Sequence, residues 1–342
     1  VSLNGKEGVF IIAELSANHA GKKEVALETV RAAADCGADA IKLQTYTPDT
    51  ITLNSDQADF LIDQGTIWEG KKLYDLYQEA YTPWEWHEEI FNEARKCGLI
   101  CFSSPFDKTA VDFLEQLNTP AYKIASFEIT DTPLIAYAAS KGKPMIMSTG
   151  VAELKDIELA VETCRNEGND DITLLQCTSS YPAPIERANL MTIVDMAARF
   201  GLKVGLSDHS LDNVSAVVAT TLGASLIEKH FILDKKLGGP DASFSLDPEQ
   251  FKSLVNDVRR AEASIGQVSY DLDEKSKASR FFARSLYIAA NMKKGDVLTE
   301  QNLRSVRPSK GLHPQHYHEV LGKRVNRDLE AGDALSFDHI MD

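Results

Sequence analysis

The chain predicts a (β/α)8 barrel of the TIM type followed by a small β-rich domain, and three observations carry that prediction. Eight short apolar runs recur between residues 9 and 231, amphipathic stretches fill the intervals, and polar or ionisable residues stand at the end of nearly every run. Near-continuous apolar runs are what parallel strands need when one face meets a barrel interior and the other a layer of helices. A length of 342 residues suits such a barrel plus a smaller unit.

In chain order the runs are 9–16, 40–46, 99–104, 121–126, 144–149, 172–178, 203–208 and 226–231. Helical periodicity lies between them at 24–36, 83–97, 157–166 and 214–222, and several of these stretches end in Gly, as a helix stop requires. The interval 47–81 is too long for one helix and contains the aromatic, charged segment GTIWEGKKLYDLY; it is predicted to be a long loop over the barrel mouth, with helix resuming at Pro83. The barrel is predicted to occupy residues 1–268, a polar linker 269–283, and the small domain 284–342, where short β-like runs alternate with turn signals such as KKGD and EAGD. Roughly 60 residues build a marginal core, so that domain is expected to dock on another surface.

Composition narrows the function classes. Hydrophobic residues at 43% and charged residues at 25% are ordinary for a soluble globular protein. A net charge of −15 disfavours nucleic acid and anionic membrane as partners, so any phosphate site has to be built locally. The cysteines Cys36, Cys97, Cys101, Cys164 and Cys177 are odd in number and mostly embedded in apolar runs, which suits reduced thiols and the cytoplasm. The first apolar stretch is broken by Glu14 and lacks a basic flank, so it is read neither as a signal peptide nor as a membrane span.

In such a barrel the chemistry lies at the C-terminal strand ends. There the sequence puts Glu14, Lys42 with Gln44, Lys123 with Ser126 and Glu128, Ser148 with Thr149, the segment CTSSYP, Asp208 with His209, and Glu228 with His230. Imidazoles on adjacent strand ends, His209 and His230, can converge on one divalent cation and leave positions open for substrate oxygens; the alternative is that each is hydrogen-bonded inside the barrel. Asp208 and Glu228 are candidates for orienting those imidazoles. Lys42 and Lys123 lie on strands that otherwise bury apolar groups, where an ammonium is costly unless it meets a phosphate, a carboxylate or a neighbour such as Glu14 or Glu128. Ser126, Ser148, Thr149, Gly150 and Ser179 offer donors for an anion cradle. Glu14, a lone carboxylate behind an apolar run, has the look of a general acid or base, the alternative being an ion pair with Lys42. The turn-rich loop GGPDASFSLDP carries Asp241, which either reaches a sugar hydroxyl or belongs to a plain turn into the next helix.

The motifs IIAELSANHAG, IKLQTY, KIASFE, MSTG, CTSSYP, GLSDHS and EKHF together resemble the N-acetylneuraminate (sialic acid) synthase family. The C-terminal segments RSLYIAANMKKGDVLTEQNLRSVRP and GKRVNRDLEAGDALSFDHI look like that family's antifreeze-protein-like (SAF) domain. The resemblance implies a condensation of phosphoenolpyruvate with an N-acetylated aldose that releases phosphate. It implies a divalent metal, manganese or magnesium, at His209 and His230; phosphoenolpyruvate contacts from Lys42, Lys123, Ser126, Ser148 and Ser179; and the acceptor sugar near Glu14, Gln44, Glu128, Tyr181 and Asp241. It also implies that Arg307 reaches the acetamido group from the SAF domain of a second subunit, making the active unit a domain-swapped homodimer. The segments GTIWEG and LYDLYQEAYTPWEWH and the loop LGGPDASFSL look most like the branch that makes pseudaminic acid. Sialic acid enzymes usually carry a His soon after the GPD step, where Ala242, Ser243 and Phe244 stand here, and this points away from N-acetylmannosamine toward 2,4-diacetamido-2,4,6-trideoxy-L-altrose. Competing readings are a legionaminic or N-acetylneuraminic acid synthase, a Schiff-base aldolase using Lys42, Lys123 or Lys229, and a non-catalytic sugar-binding protein.

Overall fold

The structure, a computed structural model, describes residues 8–63, 68–179 and 183–341. Its N-terminal unit spans Val1–Gly266 and its C-terminal unit Gln267–Asp342. The first is a closed barrel of eight parallel strands in sequence order: β1 (Phe10–Glu14), β2 (Ala40–Thr45), β3 (Ile100–Pro105), β4 (Tyr122–Ile124), β5 (Met145–Ser148), β6 (Ile172–Cys177), β7 (Lys203–Asp208) and β8 (Leu226–His230), with β8 returning to β1. Seven fall inside the apolar runs of the sequence, and β3 exceeds its run by Pro105 alone.

The helices of the barrel are α1 (Lys23–Asp35), α2 (Pro48–Ile51), α3 (Leu73–Ala80), α4 (Trp84–Lys96), α5 (Lys108–Gln116), α6 (Thr132–Ala139), α7 (Leu154–Asn166), α8 (Met191–Phe200), α9 (Val214–Thr221) and α10 (Pro248–Ile265). Local chemistry starts and stops them. Asp107 accepts the backbone N–H groups of Thr109 and Ala110 at the start of α5, Asp247 and Gln250 form a capping box on α10, and Gly201 ends α8 in the left-handed region at φ 64°.

Strand parity sorts the side chains into two cores. Phe10, Ile12, Ala40, Phe102, Ala121, Ile146, Leu175 and Leu226 form a cluster drawn from strands and from Ala121 just before β4, with no helix residue, and this is the barrel interior. The neighbouring positions, among them Ile11, Ala13, Ile41, Leu43, Tyr122, Met147 and Leu206, pack with helix residues in the larger layer outside the wall. Gly205 faces inward where the wall is tight: a Cβ there would meet the Leu226 carbonyl and the Leu175 side chain.

Two expectations are corrected. The interval 47–81 is no continuous loop, because α3 forms within it; Leu73, Leu76, Tyr77 and Ala80 repeat at helical spacing, and Leu76 and Ala80 are buried. The segment read as a linker contains a helix, α11 (Glu274–Ser279), started by Asp273 accepting the Ser276 N–H, followed by a 3-10 turn at Arg280–Phe282.

The C-terminal unit has its own core of Leu286, Ile288, Met292, Leu298, Leu303, Val320, Val325, Leu329 and Leu335. Its two-stranded antiparallel sheet pairs β9 (Ser285–Ile288) with β10 (Leu303–Val306). All five cysteines are unpaired. Among the described residues no helix is long and apolar enough to cross a membrane.

Candidate active site

Continuing inward parity past the apolar layer gives the floor of the barrel mouth: Glu14 above Ile12, Lys42 above Ala40, Ser104 above Phe102, Lys123 above Ala121, Ser148 above Ile146, Cys177 above Leu175, and Glu228 with His230 above Leu226. Gln44, half-buried, follows Lys42 on the same face.

The floor is a buried charge network. The Lys42 ammonium pairs with Glu14 Oε2, donates to Ser104 Oγ at 3.2 Å, and lies 3.9 Å from Glu228 Oε2. Lys123 lies 3.6 Å from Glu228 Oε1, which also accepts from Ser207 Oγ at 2.9 Å. Glu228 therefore sits between the two lysines, and they outweigh its burial and hold it below the usual carboxylate range. Burial pushes Glu14 up to about 7 against the pull of Lys42, with the negative Glu228 adding to the rise. Burial lowers Lys123, whereas Glu14 and Glu228 outweigh burial at Lys42 and raise it. Both Glu14 carboxylate oxygens and the Ser148 hydroxyl are buried without a hydrogen-bond partner of normal geometry.

Hydroxyl groups and a thiol crowd together on the next wall. Gly150 N–H donates to Ser126 Oγ at 3.2 Å, and Cys177 Sγ lies 3.5 Å from Ser126 Oγ and 3.8 Å from Ser179 Oγ. Gly150 is required by close approach, since a Cβ there would meet Ser179, Cys177 and Ser126 together. Glu128 ends the turn Ser126–Glu128; burial raises its carboxyl to about 7, and its buried Oε2 has no partner.

The rings of His209 and His230 lie with centroids 5.2 Å apart, tilted by 49°. Nδ1 of His209 bonds the Thr178 carbonyl at 3.2 Å. His230 is held well below its ordinary pKa by burial and by the positive groups around it, and its buried Nδ1 has no hydrogen bond; Asp241 Oδ2 stands 3.9 Å away. Phe244 packs edge-on against both imidazoles, at 6.3 and 4.9 Å. Cys177, 3.8 Å from His209 Nδ1, is raised by burial, but His209 brings it down to about 7.

The mouth thus gathers Glu14, Lys42, Lys123, Ser126, Ser148, Ser179, Glu128, His209, His230 and Asp241 from all sides of the barrel. Tyr181 lies outside the described residues. Arg307 is exposed on the C-terminal unit, directly after β10. Asp208 does not orient an imidazole: it faces outward and binds Lys229 at 2.5 Å, and that same ion pair, with Ser210 and the Asp212 carbonyl, removes Lys229 from the mouth. Glu228 serves the lysines instead of the imidazoles. Sequence reading missed Ser16, Ser207 and the thiol of Cys177; parity from Leu175 would have turned Cys177 inward, but a lone Ser after a strand carries no signal of its own.

The NeuB family pattern matches residues 29–270, and the SAF domain pattern matches residues 283–341. Pseudaminic acid synthase from Campylobacter jejuni is 51% identical over 334 residues, 98% of this chain and 97% of its own length. N,N'-diacetyllegionaminic acid synthase from Legionella pneumophila is 35% identical over 337 residues, 97% and 94% of the two chains. Among solved structures, the spore coat polysaccharide biosynthesis protein spsE from Bacillus subtilis superposes with a TM-score of 0.64 at 36% identity, covering 98% of this chain and 96% of that one. With its barrel, its SAF domain and full-length relatives at these identities, the chain belongs to the NeuB family.

Proposed function

We propose that the chain condenses phosphoenolpyruvate with 2,4-diacetamido-2,4,6-trideoxy-L-altrose and water, giving pseudaminic acid and inorganic phosphate. The observation that carries this reading is the barrel floor: Lys42 and Lys123 beside Glu14, which pairs with Lys42 through Oε2 and keeps a buried Oε1 without a partner, next to the hydroxyl groups crowded around Gly150. The identity to a pseudaminic acid synthase, well above that to a legionaminic acid synthase, favours this acceptor.

In the proposed reaction C3 of phosphoenolpyruvate attacks the aldehyde carbon of the open-chain sugar and water adds at C2. The tetrahedral intermediate then collapses and expels phosphate. Lys42 and Lys123 bind the carboxylate and phosphate and stabilise their charge in a water-poor floor. Ser126, Ser148, Ser179 and the Gly150 backbone complete that cradle. Glu14, held near neutrality, can both take and return a proton at Oε1 or Oε2. Gln44, Glu128, Tyr181 and Asp241 orient the acceptor, and Arg307 is supplied by the C-terminal unit of a second copy in a domain-swapped homodimer.

A divalent cation, manganese or magnesium, fits the His pair. Burial and the positive groups around it hold His230 well below its ordinary pKa, and its buried Nδ1 is unpartnered; Nδ1 of His209 bonds the Thr178 carbonyl, so that loss of the proton from this ring would put the lone pair on Nε2. The described residues contain no cluster of three or more ligating side chains, so such an ion would take its remaining ligands from water and substrate oxygens. When bound there, it supplies Lewis-acid polarisation of the acceptor carbonyl. A cytoplasmic location accords with the five unpaired cysteines.

Lys123, lowered by burial, also keeps a Schiff-base aldolase in view. Phosphate release with phosphoenolpyruvate and a panel of acetamido sugars separates the readings. The diacetamido altrose supporting turnover, N-acetylmannosamine failing, and no keto acid trapped by borohydride is the expected result. Borohydride trapping without phosphate release would replace it with the aldolase.

A further inference from the structure

Ser16 lies in the left-handed backbone region, φ 48°, two residues beyond the end of β1, and its side chain is enclosed. A side chain at such a φ is disfavoured relative to Gly, so a non-glycine held there points to something the side chain does. Ser16 Oγ donates to Asp241 Oδ2 at 2.5 Å, and Ala17 N–H donates to the same oxygen at 3.3 Å. Asn18 extends the attachment: its Nδ2 donates to the Phe231 carbonyl at 3.0 Å and to Ser245 Oγ at 2.8 Å, while Ser245 Oγ donates to the Asp241 carbonyl at 2.7 Å. The turn after β1 therefore grips both ends of the segment from Asp241 to Ser245, which also carries Phe244 against the imidazoles.

We propose that Ser16 is a positioning residue that fixes the Asp241 carboxylate over the barrel mouth and thereby sets affinity for the acceptor sugar. Two donors on Oδ2 leave Oδ1 outside that pair of bonds and lock the carboxylate's rotation, which matters because a recognition group displaced by about 1 Å loses most of its effect. The inference rests on Asp241 being an acceptor contact, as proposed above, and adds the residue that holds it.

The test compares Ser16→Gly, Ser16→Ala and Asp241→Asn in steady-state assays with phosphoenolpyruvate and the diacetamido altrose, together with thermal unfolding. Losing a hydrogen bond to a carboxylate predicts an acceptor KM raised by roughly tenfold or more in both Ser16 variants. The phosphoenolpyruvate KM stays within about twofold. Ser16→Gly accepts the backbone conformation without strain, and its single cooperative unfolding transition, read beside that of Ser16→Ala, shows that a lost fold does not account for its KM. Adding Ser16→Ala to Asp241→Asn raises the acceptor KM no further than Asp241→Asn alone. An unchanged acceptor KM in both Ser16 variants, with Asp241→Asn impaired, makes Ser16 a mere turn residue and overturns the proposal. An unimpaired Asp241→Asn overturns the acceptor role of Asp241 and this inference with it.

Discussion

The Lys229 ammonium lies 2.5 Å from Asp208 Oδ2 on the outer side of the barrel wall, and each partner immediately precedes one of the two imidazoles that face each other inside. The pair thus ties the ends of β7 and β8 together where they deliver His209 and His230. Lys229→Met leaves Asp208 buried and unpaired, and is expected to cost about 3–5 kcal/mol. Urea unfolding measures it, and replacing both partners with Leu should recover most of the loss. A single-variant cost below about 1 kcal/mol would mean that the pair does not brace the wall.

Glu14 is the proposed proton-transfer group. Glu14→Gln keeps the side-chain volume and removes the exchangeable proton, so kcat is expected to fall by roughly 10²–10⁴. Calorimetric titration should find phosphoenolpyruvate affinity within about threefold of wild type, since the lysines remain. Lost binding in a folded variant would reassign Glu14 to holding Lys42.

Gly150 tests the proposed phosphate cradle from the backbone side. Its backbone conformation accepts Ala, but the added Cβ would occupy the space between Ser126, Cys177 and Ser179. Gly150→Ala is expected to raise the phosphoenolpyruvate KM about tenfold, the scale of one overpacked contact, with the acceptor KM unaltered. The opposite split would place the acceptor, not phosphoenolpyruvate, beside Gly150.

Glu128 makes a pH prediction. Burial raises its carboxyl from 4.5 to about 7, so its contribution to stability is fully present below pH 4.5 and is lost as pH climbs through 7. A rise of that size corresponds to about 3 kcal/mol. Glu128→Gln removes the titrating group, so denaturant unfolding should find the variant near wild type at pH 4 and gaining on it steadily to pH 8. Parallel pH profiles for the two proteins would place the Glu128 carboxylate in contact with water.

Much of this architecture was legible because its signals are local or periodic. Parallel strands buried on both faces leave uninterrupted apolar runs, so all eight emerged, and the ionisable residues closing them marked the mouth. What stayed hidden depended on tertiary geometry. Asp208 stands one residue before His209 and Glu228 two before His230, and that one residue of parity sends Asp208 out to Lys229 and Glu228 in between the lysines. The helix at Leu73–Ala80 was masked by aromatic and charged residues that its two buried positions, Leu76 and Ala80, organise only when packed. The hydroxyl of Ser16 became informative only through a backbone twist and a partner 225 residues away.

The central claim, that the mouth joins phosphoenolpyruvate to an acetamido aldose with water attacking C2, is tested most directly by following the oxygen that bridges C2 and phosphorus. With phosphoenolpyruvate labelled by ¹⁸O at that bridge and 2,4-diacetamido-2,4,6-trideoxy-L-altrose as acceptor, mass spectrometry should find the label in inorganic phosphate, one phosphate per sugar acid formed. Label retained at C2 of the product, or phosphoenolpyruvate left unconsumed, would contradict the account.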